Sequence, residues 1–210
     1  MSTMGSMLRH VIFATIVAAA VFQFQPAAAQ QSPDATVKRV AEDTLAAIKS
    51  DPQIQAGNQA RIREVVETKV APYFDFTRIT ALAMGKNWRT ATPEQQKRLT
   101  EEFRSLLIRT YSGALTQYRD EKIDYKPLRM NAGDTEVLVR TAAVRASGPP
   151  VPIDYSMEKT PDGWKCYDVV VGGVSLVTNY RDEFNAQIQS GGVDGLIRTL
   201  ADRNKGIAAK

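Results

Sequence analysis

The sequence predicts an α+β protein in which a four-stranded antiparallel sheet packs against a layer of helices. In the first half of the chain, apolar residues recur at intervals of three and four, which is the period of an amphipathic helix. From Ile123 onward, β-branched and aromatic residues alternate with polar ones between turn residues, and the helical period returns at Ser175. Short turns between successive strands indicate antiparallel pairing, and helices on both sides of the strand block indicate an α+β arrangement.

Residues 1–29 are predicted to form a cleaved secretory signal peptide. Arg9 and His10 precede an apolar run at 11–22, and three alanines end the segment at Ala29. A membrane anchor is the alternative, but the run is short for a bilayer span, which needs about 20 apolar residues. The remaining residues, 30–210, are predicted to form a single domain of an exported protein.

Two helices in the first half carry clear start signals. Ser32 is a predicted N-cap with Pro33 at the first helical position, and this helix runs to Ser50. A second amphipathic helix closes near Pro72. Thr92 and Gln95 have the spacing of a capping box at the start of a long helix that continues to about residue 118.

The strands are bounded by turn residues. Thr160-Pro161-Asp162-Gly163 predicts a hairpin turn in which glycine adopts a positive φ. Pro127 interrupts the first strand and therefore predicts an edge position or a bulge. The predicted strands are 123–130, 135–144, 153–159 and 164–171. Two further helices follow, one through Ile188 and one through Leu200.

The residue inventory excludes most catalytic chemistries. His10 is the only histidine and lies in the predicted signal peptide, so Ser-His-Asp, Cys-His and imidazole-metal sites are not expected. The single cysteine, Cys166, excludes an intramolecular disulfide and a CxxC motif. It shares a predicted strand face with Trp164 and lacks an activating histidine, which favours a buried structural role. No metal and no cofactor are predicted.

Net charge gives a weak indication of partners. Of 27 basic residues only Arg9 lies in the predicted signal peptide, which leaves 26 basic against 23 acidic residues in the domain. A mild positive excess favours anionic lipid surfaces or acidic proteins over nucleic acid. Solubility alone is an equally good explanation.

Gly172-Gly173 is the one glycine pair that resembles a phosphate-binding loop in its position between a strand and a helix. Neither GxGxxG nor GxxxxGK[ST] is present. The pair therefore predicts a tight turn, with Ser175 capping the helix that follows.

Apolar side chains are abundant at residues 73–88, along the long helix and in the strands. The strand at 164–171 is apolar on both faces apart from Lys165 and Asp168, which predicts that both faces are covered. Two interpretations follow, an ordinary filled core or a cavity for a lipid or another hydrophobic ligand between sheet and helices. Composition does not separate them.

Two blocks of residues occur in the order that one known family shows. The C-terminal block is Tyr167-Asp168, Gly173, Ser175-Leu176, Tyr180-Arg181 and Phe184. The earlier block is Pro72, Asp75-Phe76, Gly85, Trp88-Arg89, Thr92, Gln96, Phe103 and Tyr111. With these blocks the chain resembles the MlaC-type periplasmic phospholipid-binding proteins, also called the toluene-tolerance family, over about residues 36–200.

The resemblance implies an NTF2-like α+β fold with a deep apolar pocket between sheet and helices. Family members are periplasmic carriers that hold a glycerophospholipid with its tails inward and its headgroup at the mouth. They exchange it with an inner-membrane ABC transporter complex and an outer-membrane lipoprotein–porin complex, and so maintain outer-membrane lipid asymmetry. On this basis the protein is expected to be no enzyme, with phospholipid as cargo rather than a cofactor.

The pocket is expected to approach or exceed about 1,000 Å³, the upper end for ordinary ligand pockets. Arg181 is expected to meet a phosphate at the mouth, or else to form a surface salt bridge with a nearby carboxylate. The residues expected to line or border the pocket are Phe76, Ile79, Leu82, Phe103, Leu107, Tyr111, Val169, Val171, Val174 and Leu176.

Two other functions remain open from the sequence. A small enzyme of the isomerase type would use Asp168 and Tyr180 in an apolar pocket, with Asp168 on the strand face of Trp164 and Val170. An adaptor would instead have a filled core and would act through its basic surface.

Overall fold

The computed structural model describes residues 30–117, 121–144 and 148–208. The predicted signal peptide lies outside these residues. The α+β prediction is confirmed, because helices flank an antiparallel sheet. The helices are α1 (Pro33–Ser50), α2 (Pro52–Gln55), α3 (Gln59–Lys69), α4 (Phe76–Met84), α5 (Pro93–Gln117) and α6 (Leu176–Ala208), with 3-10 turns at Ala71–Tyr73 and Gly85–Thr90.

The sheet has five strands rather than the four predicted. They are β1 (Lys122–Tyr125), β2 (Glu136–Val144), β3 (Val151–Thr160), β4 (Gly163–Val171) and β5 (Val174–Ser175), and each pairs antiparallel with the next. The extra strand arises because Gly172 and Gly173 have φ of 59° and 87°. A two-residue hairpin turn needs such positive φ values, so Val171 pairs with Val174 before α6 begins.

Local sequence signals explain where several elements start and stop. Thr92 and Gln95 form the predicted capping box, since the Gln95 amide donates to Thr92 Oγ1 at 3.2 Å and the Thr92 amide donates to Gln95 Oε1 at 2.9 Å. Ser32 occupies the N-cap of α1, but its side chain makes no capping bond. β1 lies at the sheet edge, as predicted, and ends before Pro127.

A β-bulge interrupts the alternation of β4. Met157 pairs with Cys166 while the adjacent Ser156 pairs with Asp168, so Tyr167 is an extra residue in the ladder. Asp168 therefore does not continue the face of Trp164, as strict alternation predicted. The bulge turns both Cys166 and Val169 towards the same side of the sheet, where both line a cavity.

Buried side chains gather in separate clusters that leave a gap under α1. A helical core joins α4, α5 and α6 around Phe103. A second cluster lies on the sheet and includes Val37 of α1, and a third contains Ile48 at the other end of α1. The middle of α1 belongs to none of these clusters.

A glycine pair at 191–192 divides α6 into the two helical segments that the sequence predicts. Gly192 has φ 65° and ψ −175°, a conformation essentially restricted to glycine. Gly191 is helical, and a β-carbon there would have no heavy atom within 4 Å.

These neighbouring positions should respond to alanine with opposite signs. Gly192→Ala is expected to lower the free energy of unfolding by about 1–3 kcal/mol through backbone strain. Gly191→Ala is expected to raise it by roughly 0.5–1 kcal/mol, since alanine restricts the unfolded chain and favours helix. Urea denaturation measures both, and a shift of the same sign in both variants would contradict the assignment.

Within residues 30–117, 121–144 and 148–208, every helix is too short or too polar to cross a bilayer.

Candidate functional site

An apolar cavity of about 510 Å³ lies where α1 and α5 face the sheet. This volume is about half of the expected value, and Val37 of α1, which packs in the buried cluster on the sheet, is among the lining residues. From the helical side the wall includes Val40, Ala41, Thr44, Leu45, Phe76, Ile79, Leu107, Ile108, Tyr111 and Leu176. From the sheet it includes Ile123, Tyr125, Thr141, Ile153, Tyr155, Met157, Cys166, Val169, Val171 and Val174.

Strand register gives the cavity a closed floor and an open rim. Met157 and Cys166 are paired across β3 and β4 and form the floor, with 1% and 3% of their surface exposed. Four residues further along β3, Ile153 pairs with Val171, which in turn pairs with Val174. Val171 and Val174 are 42% and 62% exposed, so this end is open to solvent.

Three hydroxyl groups of the wall are hydrogen-bonded within the protein. The Thr44 hydroxyl donates to the carbonyl of Val40 at 2.6 Å, and the Thr141 hydroxyl donates to the carbonyl of Ile153 at 2.8 Å. The Ser112 hydroxyl bonds the carbonyl of Ile108 in the same way. Because these three hydroxyls already have partners and most of the other lining side chains are apolar, the wall offers a ligand mainly apolar surface.

Asp168 is the one charged residue among the described residues that line the cavity, and its carboxylate stabilises the start of α6. One oxygen accepts a hydrogen bond from the Ser175 hydroxyl at 2.6 Å, and the other accepts from the Val177 amide at 3.0 Å. The Thr178 amide donates to Ser175 Oγ at 3.0 Å, which confirms Ser175 as a helix cap. This carboxylate is therefore engaged in structure at the edge of the cavity.

Cys166 has the environment of a structural thiol. It is buried, and its thiol donates to the carbonyl of Asp168 at 3.2 Å. Burial raises the pKa of this thiol well above its usual value. Within the described part of the chain, no three His, Cys, Asp or Glu side chains are grouped so as to hold a metal ion.

The raised pKa of Cys166 predicts a loss of stability in mild alkali. An unfolded thiol releases its proton near pH 8.5, whereas the folded thiol keeps it, so the folded state binds more protons as pH rises. The free energy of unfolding should therefore fall by up to about 1.4 kcal/mol per pH unit above about pH 8.5. Urea denaturation in the presence of reductant at pH 7.5, 8.5 and 9.5 measures this slope.

Cys166→Ala is the matched control for the alkaline slope. It should reduce the slope strongly between pH 8.5 and 9.5. Desolvation also raises the pKa values of the half-buried Tyr155 and the buried Tyr180, but these hydroxyls titrate in the unfolded chain only near pH 10. An equally steep slope in the alanine variant would show that another group is responsible.

Eight of the ten residues expected at the pocket lie in the cavity wall: Phe76, Ile79, Leu107, Tyr111, Val169, Val171, Val174 and Leu176. Leu82 and Phe103 lie instead in the helical core. The Phe103 ring packs against Tyr180 and Phe184 with centroids 4.8 Å apart in each case, because this side of α5 faces α6. Contact of the eight with a ligand stays a prediction.

The side chains predicted to bind a headgroup or to act in catalysis, Arg181, Tyr180 and Asp168, do not meet in the cavity. Arg181 is not among the residues that line it, and its Nε donates to the carbonyl of Leu82 at 3.1 Å. Its role at a phosphate stays a prediction. Tyr180 is buried in the helical core, whereas Asp168 lines the cavity, so the two do not form the acid–base pair of the enzyme hypothesis.

Sequence reasoning missed the contribution of α1. Val40, Ala41, Thr44 and Leu45 form part of the wall, although the sequence showed them only as an amphipathic stripe. Such a stripe indicates that a helix face is covered, but it has the same appearance over a filled core and over a cavity. Thr44, a polar residue within the stripe, was the one local departure from a uniform core face.

Fold and site together define the class: an α+β protein whose sheet and helices enclose an apolar cavity with one open end. The MlaC protein family matches residues 38–202, and the chain belongs to this family.

Three known proteins illustrate the similarity. The toluene tolerance protein ttg2D of Pseudomonas putida is 27% identical over 167 residues, which cover 79% of this chain and 77% of the relative. The intermembrane phospholipid transport system binding protein MlaC of Haemophilus influenzae is 23% identical, covering 89% and 88%. A phospholipid-binding protein from Ralstonia solanacearum, solved with a phospholipid at 1.53 Å, is 44% identical with a TM-score of 0.78, covering 85% and 99%.

Proposed function

We propose that the protein is a periplasmic carrier that binds a glycerophospholipid and shuttles it between inner- and outer-membrane complexes. The observation that carries this proposal is the apolar cavity, closed at Met157 and Cys166 and open beside Val171 and Val174. Its walls are built from the same family fold as the Ralstonia protein that was solved with a phospholipid.

The energetics of lipid transfer explain why such a cavity is needed. Burying one methylene is worth about 0.8 kcal/mol, so exposing two chains of about 16 carbons to water costs on the order of 20–25 kcal/mol. A mainly apolar wall, in which the Thr44 and Thr141 hydroxyls are already hydrogen-bonded, can replace the bilayer interior around the tails. Net transfer then involves a small free energy, so partner complexes set its direction.

The family and the predicted signal peptide support the proposed partners and the proposed compartment. The Haemophilus relative is a binding protein of an intermembrane phospholipid transport system. By this likeness, the inner-membrane ABC transporter complex and the outer-membrane lipoprotein–porin complex are the proposed partners, and outer-membrane lipid asymmetry is the proposed outcome. The carrier needs no catalytic residue, which agrees with the satisfied Asp168 and the buried Cys166.

The test is to identify what the purified protein carries. We expect organic extracts of the domain comprising residues 30–210 to contain phospholipid by mass spectrometry, in a fixed ratio to protein after gel filtration. The delipidated protein should take up phospholipid from vesicles and deliver it to acceptor vesicles. Protein that yields no phospholipid and accepts none from vesicles would refute the proposal.

A further inference from the structure

The depth of the cavity is set by the strands that form its wall. The floor residue Met157 and the rim residue Ile153 both belong to β3 and are four residues apart. A strand rises about 3.3 Å per residue, so floor and rim are about 13 Å apart along the strand. The hydrocarbon layer of one bilayer leaflet is about 15 Å thick, which is slightly greater than this floor-to-rim distance.

This depth corresponds to a definite number of carbons. A staggered chain with C–C bonds of about 1.5 Å advances roughly 1.25 Å per carbon. An extended acyl chain that touches the floor therefore reaches the rim after about ten carbons. A longer chain continues past Ile153 and Val171 towards solvent.

We propose that the floor formed by Met157 and Cys166 is a specificity-determining element that fixes how many acyl carbons the cavity holds. This inference rests on the proposed function, since it concerns the tails of the same cargo. Both floor residues pack in the buried cluster that contains Val137, Val139 and Trp164. Lengthening a chain beyond about ten carbons adds contacts only at the rim.

The exposed apolar rim is explained by the same geometry. Tyr111, Val171 and Val174 are exposed in the free protein, although each lines the cavity. Carbons that extend beyond the floor-to-rim distance lie against these side chains. The rim therefore covers the first part of a protruding chain and shields it less completely than the interior does.

A series of lysophosphatidylcholines with 8, 10, 12, 14 and 16 carbons tests the floor, each used below its micelle-forming concentration. Affinity for the delipidated protein is measured by competition with a fluorescent lipid. Each added methylene should strengthen binding by about fourfold until the chain fills the cavity. Beyond about ten carbons the gain per methylene should drop, and this breakpoint is the quantity to compare.

Two variants should move the breakpoint in opposite directions. Cys166→Leu fills the floor and should shift it one or two carbons shorter, with weaker binding of chains that reached the floor. Met157→Ala deepens the cavity and should shift it one or two carbons longer. Val137→Leu and Val139→Ala are matched controls, because both residues belong to the floor's buried cluster but do not line the cavity. Their breakpoints should equal that of the unmodified protein, and thermal melting confirms folding of all four variants.

The outcomes separate this inference from the proposed function. Opposite shifts in the two floor variants, with none in the controls, support the floor as the determinant. Unshifted breakpoints in folded floor variants that still bind would overturn it, and so would a constant fourfold gain up to 16 carbons. Failure of the unmodified protein to bind any chain length would refute the carrier function itself.

Discussion

Val169→Asp is expected to yield a folded protein that no longer retains phospholipid. Val169 lies in the cavity wall, midway between the floor and the rim on β4. A carboxylate there would stand beside the acyl chains, and none of the lining residues within 30–117, 121–144 and 148–208 is basic. Its desolvation should weaken lipid binding by about 3 kcal/mol or more, which is over a hundredfold in affinity. Mass spectrometry of organic extracts, normalised to protein, measures the retained lipid.

Val170→Asp is the matched control for this experiment. Val170 is the next residue of the same strand, is also half-buried and does not line the cavity. The same charge on the opposite face of β4 should leave lipid content close to that of the unmodified protein. Equal lipid content in both variants would show that the tails do not occupy this cavity, and thermal melting excludes loss of folding as the cause.

Phe103→Ala is expected to cause the largest loss of stability of any substitution considered. The ring is fully buried between Tyr180 and Phe184 in the helical core. Truncating such a residue typically costs about 3–5 kcal/mol. In a domain of this size each kcal/mol lowers the melting temperature by about 2–4 °C, so a decrease of roughly 6–20 °C is expected.

Phe76→Ala provides the contrasting case. Phe76 is only half-buried and lines the cavity, so its loss should affect lipid content more than melting temperature. Phe103→Ala should show the reverse, with lipid retained at temperatures where the variant is folded. A melting temperature for Phe103→Ala within 2 °C of the unmodified protein would contradict the position of this ring in the core.

Local patterns predicted the elements well, because their causes are local. The capping box at Thr92 and Gln95 and the turn before Gly163 depend on side chains within four residues. The bulge at Tyr167 depends on how β3 and β4 align, and the glycine pair alone does not show that Val174 and Ser175 pair with β4. No glycine or proline stands at Tyr167 to indicate the bulge in the sequence. The prediction therefore assumed strict alternation along β4 and placed Asp168 on the wrong face of the sheet.

The cavity residues show where pattern reasoning ends. Phe103 and Leu107 are one helical turn apart on α5 and both belong to its apolar stripe. Phe103 packs only into the helical core, whereas Leu107 belongs to that core and also lines the cavity. The stripe is wide enough to face both α6 and the sheet. Periodicity shows that a side chain is covered, but the partner that covers it is a property of the tertiary structure.

Helix α1 is packed into the protein at both ends, so the shape of the cavity under its middle and the stability of the fold depend on different residues. Val37 and Ile48 hold the helix in different buried clusters, whereas Val40, Ala41 and Leu45 between them face the cavity. Substitutions in the middle of α1 can therefore change the shape of the cavity while the buried residues at both ends of the helix are unchanged.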